Sequence, residues 1–123
     1  MRIALALALV LHGTAHLVGF AESWQLAATE HAPFKTTVLS GRLDLGLVGI
    51  RVGGILWLLV ALAFGLVAAG ALTRAEWWVP MAFTTAIASV VLSVVWWPES
   101  RMGVAVNAVL ITALLVGRQF GFI

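Results

Sequence analysis

Apolar residues run almost unbroken from Ile3 to Phe20, interrupted by His12, Gly13, Thr14 and His16. These 18 residues contain no Asp, Glu, Lys or Arg, and a helix rising about 1.5 Å per residue would carry them across a bilayer. Three further apolar stretches follow, at about 43–72, 77–97 and 102–117. Each approaches or exceeds the ~17–25 residues that a membrane-crossing helix needs. In lipid the backbone must satisfy its own hydrogen bonds, which selects helices, and the short alternating strands of a transmembrane β-barrel are absent. The pattern predicts an all-α, antiparallel integral membrane four-helix bundle in a single domain.

The breaks between the stretches are uneven. Residues 73–76 and 98–101 leave room only for tight turns, so consecutive helices there must be antiparallel neighbours. The first break, 22–42, is long and holds Trp24, Glu30, His31, Pro33 and Lys35. Pro33 would break any helix there, and Ser40-Gly41 reads as the start of the second span. A long connection beside short ones is a common site for a lid or an interface. The amino-terminal segment also has the layout of a signal peptide, with basic Arg2, an apolar stretch and the small-x-small triplet Gly19-Phe20-Ala21. The polar His12-Gly13-Thr14 inside the run favours a retained first span.

Composition narrows the class. Of 123 residues, 63% are hydrophobic and 10% charged, against roughly 25% charged in an average soluble domain. The net charge of +2 comes from seven scattered Lys and Arg, so no basic cluster marks a nucleic-acid partner. Cysteine is absent, which removes thiolate chemistry, iron–sulfur clusters and disulfide exchange. Tyrosine is absent too. Lys and Arg divide almost evenly between the two sides, Arg2, Arg74 and Arg118 facing Lys35, Arg42 and Arg101. The positive-inside rule therefore hardly discriminates, and the free amino group tips the expectation to both termini cytoplasmic. Trp24, Trp96 and Trp97 would mark one interface, Trp77 and Trp78 the other.

Polar groups within spans are expensive, so they are where function is sought. His12, His16, Gly19 and Ser23 share one face of the first helix by their 4-3-4 spacing. Thr85, Ser89 and Ser93 recur every four residues on the third, and Asn107 lies on the fourth beyond Gly103. Arg51 stands inside the second span between Gly49 and Gly53, a pattern that permits close helix approach. The candidate ligand-binding set is His12, His16, Arg51, Ser89, Ser93, Asn107 and Trp97, gathered in the half facing the long loop except for His12, which lies nearer the middle. Glu22, Asp44, Glu99 and Arg101 would form its rim.

Each residue has a plainer reading. Arg51 can snorkel to headgroups or pair with Asp44. The histidines can be neutral groups bonded to Ser89, Ser93 or Asn107, and the Thr/Ser stripe mere helix packing. A metal site would need a third ligand beside His12 and His16, from His31 or Glu22. A haem held by both histidines is disfavoured, because they share one face.

The segments Leu11-His12-Gly13-Thr14-Ala15-His16-Leu17-Val18-Gly19-Phe20 and Gly49-Ile50-Arg51-Val52-Gly53-Gly54 resemble the first two helices of DoxX-like small membrane proteins. Trp97-Pro98-Glu99-Ser100-Arg101-Met102-Gly103 with Asn107 is similar to a W-x-acid-x-base-x-G-x-x-x-N element in four-span bacterial relatives. The resemblance implies a four-helix bundle of the bacterial cytoplasmic membrane, some of whose members are linked to thiosulfate:quinone oxidoreduction. His16 in place of the lysine of that pattern, and the absence of cysteine, speak against sulfur oxidation here.

The leading expectation is a polar intramembrane pocket holding a lipophilic molecule with a polar head, a quinone or isoprenoid-type lipid. If chemistry occurs, histidine-mediated proton transfer coupled to quinone redox is the step these residues offer. The competing expectations are a non-catalytic accessory subunit or assembly factor of a larger membrane complex, and a small dimeric transporter. The partners so implied are the lipid bilayer together with other membrane subunits or a second copy.

Overall fold

A computed structural model describes residues 1–26 and 34–123. Four helices carry the chain: α1 (Arg2–Ser23), α2 (Gly46–Thr73), α3 (Trp78–Val95) and α4 (Arg101–Gln119). All four are long and apolar enough to cross a membrane, and the molecule is a small integral membrane protein. At about 1.5 Å per residue α2 measures about 42 Å, longer than the ~30 Å hydrocarbon core, so its ends tilt or emerge.

The long connection holds an element that the apolar pattern does not reveal. Strand β1 (Thr37–Val38) pairs antiparallel with β2 (Leu43–Asp44), Thr37 facing Asp44 and Val38 facing Leu43. Leu39, Ser40 and Gly41 reverse the chain with φ of 52°, 57° and 80°. Ser40-Gly41 thus makes a hairpin turn, and α2 begins only at Gly46. The reason is local competition. The Asp44 carboxylate accepts from the Gly46 N–H at 2.9 Å and the Thr36 hydroxyl at 2.7 Å, holding 43–44 extended beside 37–38. The hairpin docks on the α3–α4 turn, where Leu39 N–H donates to Val95 O and Ser40 N–H to Trp97 O. An ion pair between Lys35 and Glu99 reinforces that seat.

The helices pack in chain order, α1 on α2, α2 on α3 and α3 on α4. Glycines set how closely α1 approaches α2. A Cβ at Gly13 would meet Phe64 Cβ at 2.9 Å, and one at Gly19 would meet the Trp57 ring at 2.6–2.9 Å. Phe64 is fully buried, and with Leu9, Trp57, Val60 and Val67 it forms the apolar centre. On α2 the buried positions Ile50, Gly53, Gly54 and Trp57 follow helical spacing. Gly53 faces Trp96 and Gly54 faces Ser23 and Trp24, whereas Gly49 meets only Leu45 of its own chain segment. Close approach on α2 therefore uses Gly53-Gly54 and not the Gly49/Gly53 pair. Helix α4 is the least embedded, burying only Asn107 and Leu114.

Candidate functional site

His16, Ser89 and Asn107, from three different helices, are buried together, with His12 half-buried beside them. Their hydrogen bonds close on themselves. Asn107 Nδ2 donates to Ser89 Oγ at 2.7 Å and to Gly103 O at 2.8 Å. Those acceptors fix the amide orientation, since the reversed amide would set its oxygen against the Gly103 carbonyl. Asn107 Oδ1 is then an acceptor, so His12 Nε2 carries a proton and donates to it at 3.1 Å. His16 Nδ1 donates to the His12 carbonyl at 2.9 Å, which leaves His16 Nε2 to accept the Ser89 hydroxyl proton at 2.5 Å. A single pattern with both imidazoles neutral satisfies this whole circuit: His12 to Asn107, Asn107 to Ser89, Ser89 to His16, and His16 back to His12.

Aromatic rings wall the circuit. The two imidazoles meet edge to face at 4.8 Å, His12 lies 4.8 Å from Phe64, and His16 lies 5.3 Å from both Trp57 and Phe64. The room for those rings is what Gly13 and Gly19 supply. The arrangement ties α1, α3 and α4 together through side-chain hydrogen bonds.

The other expected site residues lie elsewhere. Arg51 is exposed, with its guanidinium 5.3 Å from the centre of the Trp24 ring and its carbonyl accepting the Trp24 indole N–H at 3.0 Å. Its neighbours Ile50, Gly53 and Gly54 take the inward face of α2, which turns Arg51 outward and away from the histidines. Ser93 is fully buried against Gly103, where a Cβ would come within 2.6 Å of its hydroxyl, and Ser93 Oγ has no partner among the described residues. Trp57 Nε1 is likewise unpartnered there. Trp97 is exposed and receives the hairpin through its carbonyl. Of the rim, Glu99 pairs with Lys35 and Asp44 caps the turn into α2, its carboxyl held below the usual range by the Gly46 N–H and the Thr36 hydroxyl. Glu22 and Arg101 are exposed at the same end. His31, the third ligand of the metal alternative, lies outside the described residues. Among the described residues no group of three or more His, Asp or Glu is placed to hold a metal.

Open volume lies at the opposite end, where the chain termini meet the α2–α3 turn. A half-open chamber of about 510 Å³ is lined by Leu5 of α1, Ala71 of α2, Arg74 and Ala75 of the turn, Trp78 of α3, and Leu110, Ala113 and Leu114 of α4. Arg2, Glu76, Phe122 and Ile123 also line it. Leu110 stands one turn from Asn107, so the chamber's inner wall abuts the polar circuit. This chamber lies in the half away from the long loop, whereas the sequence pattern leads one to expect a pocket in the half facing it. Nothing in the spacing of His, Ser and Asn could have located it, because its walls are ordinary aliphatic residues.

No family model matches the chain, and neither does any curated protein or solved structure.

Proposed function

We propose that this small integral membrane protein binds a lipophilic, head-bearing molecule in the chamber at the terminal end of the bundle. The observation that carries the reading is the chamber itself. Its volume falls within the ~300–1,000 Å³ of small-molecule sites, and apolar walls with a few charged groups at one edge suit an amphiphile. In this reading the His12, His16, Ser89 and Asn107 circuit fixes the helices around the chamber and does not itself ligate. The ligand class is the one expected from the sequence, a quinone or isoprenoid-type lipid, moved to a different site. The similarity to DoxX-like proteins supports a bacterial cytoplasmic-membrane setting, and a cytoplasmic position for both termini would put the chamber mouth on that side.

The test is co-purification. Full-length protein is extracted into polymer nanodiscs without detergent, and its bound lipophiles are compared with those of Ala113→Trp and Ala75→Trp. Both substitutions fill the chamber from partly exposed positions. The reading predicts a defined lipophile at near-stoichiometric amount in wild type, depleted in both variants at unchanged thermal stability. Equal recovery from all three proteins contradicts it.

A second reading, a non-catalytic accessory subunit, is favoured by α4. That helix buries only Asn107 and Leu114, leaving most of its circumference for a partner helix.

A further inference from the structure

We infer that the chamber selects a lipid phosphate, a long-chain amphiphile whose head is a phosphate group. The inference rests on the chamber reading and names the chemistry of the head. Arg2 and Arg74 both line the chamber, beside one acidic side chain, Glu76. Among the described residues the only ion pair is Lys35 with Glu99, at the other end of the molecule, so neither guanidinium is neutralised by Glu76. Two exposed guanidiniums beside an apolar space offer planar forks of donors that match phosphate oxygens, a match that a neutral quinone head does not provide. The aliphatic walls, Leu5, Leu110 and Leu114, give the chain of such a lipid a place that free phosphate could not use.

Arg74 also gives the test a handle. It closes α2 in the left-handed conformation, φ 60° and ψ 32°. Glycine takes that position without strain, and helices commonly end on it. Here an arginine occupies it at the chamber's edge, as Gln25, Leu39 and Ser40 take positive φ elsewhere in the chain, and a glycine would relieve the strain.

The experiment uses the full chain in phosphatidylcholine nanodiscs, with binding of dioleoyl phosphatidic acid measured against added phosphatidylcholine, ubiquinone and inorganic phosphate. Wild type should prefer phosphatidic acid by about tenfold or more, the scale of one charge-assisted contact. Arg2→Gln with Arg74→Gln should erase the preference, while Arg118→Gln, outside the chamber, should keep it. Arg74→Gly should raise thermal stability and still lower the preference, which separates loss of the head contact from loss of fold. Ala113→Trp should weaken binding of the lipid phosphate.

Equal binding of phosphatidic acid and phosphatidylcholine, both lost in Ala113→Trp, overturns the phosphate inference and leaves the chamber reading standing. Tighter binding of ubiquinone does the same. Binding unaffected by Ala113→Trp overturns the chamber reading itself. Competition by millimolar inorganic phosphate, equal in wild type and Ala113→Trp, reduces the arginines to a simple anion site and overturns the inference.

Discussion

Replacing Asn107 by leucine, a side chain of similar size, removes the two bonds through which α4 holds its distant partners. These are the bonds to His12 Nε2 at 3.1 Å and to Ser89 Oγ at 2.7 Å. Interhelical hydrogen bonds in membranes are worth about 0.6 kcal/mol on average and ~1.7 kcal/mol at most, so the pair amounts to about 1–3 kcal/mol. The upper end applies if the His12 N–H is stranded without an acceptor. Because α4 otherwise buries only Leu114, little apolar packing compensates. Reversible unfolding by sodium dodecyl sulfate in mixed micelles, followed by tryptophan fluorescence, measures the loss. Ser89→Ala breaks the bonds to Asn107 and to His16. The two substitutions share one bond, so the double variant should lose less than the sum of the single losses, by about 0.6–1.7 kcal/mol. An Asn107→Leu protein that unfolds at the wild-type detergent fraction, or strict additivity in the cycle, would refute the closed circuit.

Three other outcomes follow from the geometry. Gly13→Val drives a Cβ to 2.9 Å from Phe64 Cβ and 3.1 Å from the Ala61 carbonyl, so it should destabilise by about 1–3 kcal/mol or prevent folding in the same unfolding assay; wild-type stability would mean that α1 and α2 are not in close contact there. Ser93→Ala removes a buried hydroxyl without a partner among the described residues and should be neutral or stabilising, and it should partly rescue Gly103→Ala, whose new Cβ would otherwise meet Ser93 Oγ at 2.6 Å; a clear loss of stability in Ser93→Ala alone would show that the hydroxyl bonds something essential. For Asp44, the folded carboxyl sits below its ordinary value because the Gly46 N–H and Thr36 hydroxyl favour the charged form. Its contribution is therefore complete above the ordinary carboxylate range near pH 4 and is lost as pH falls through the depressed value. Hydrogen exchange at Gly46, corrected for intrinsic rates, should lose protection on that descent in wild type and be insensitive in Asp44→Asn; a flat wild-type profile would contradict the capping role.

Most of the architecture was legible because lipid leaves the backbone few choices, and four long apolar runs with tight second and third turns fix helix number and adjacency. The convergence of His12, His16, Ser89 and Asn107 was legible too, since i,i+4 spacing and comparable depth place those groups on facing sides. The glycines flanking Arg51 suggest one contact pair, but only Gly53 faces another helix segment, through Trp96. The inward face of α2 follows Ile50, Gly53, Gly54 and Trp57, and Arg51 lies off it. The hairpin at Thr37–Asp44 escaped notice because two-residue strands carry no periodicity, and its turn uses Leu39 and Ser40 at positive φ, where asparagine or glycine would have been the signal. The chamber was invisible for another reason. A void arises from how two helices diverge, and aliphatic residues that line a gap read the same as those that fill a core.

The chamber reading is tested most directly by a photoreactive benzophenone side chain installed in turn at Ala113, which lines the chamber, and at Val109, which does not. After illumination in native membranes, intact-protein mass spectrometry reads what each position touches. The account predicts one dominant lipophile adduct at Ala113, suppressed when Ala75→Trp fills the space, and a broad spread of bulk-lipid adducts at Val109. The same spread at both positions would contradict a selective site at this end of the bundle.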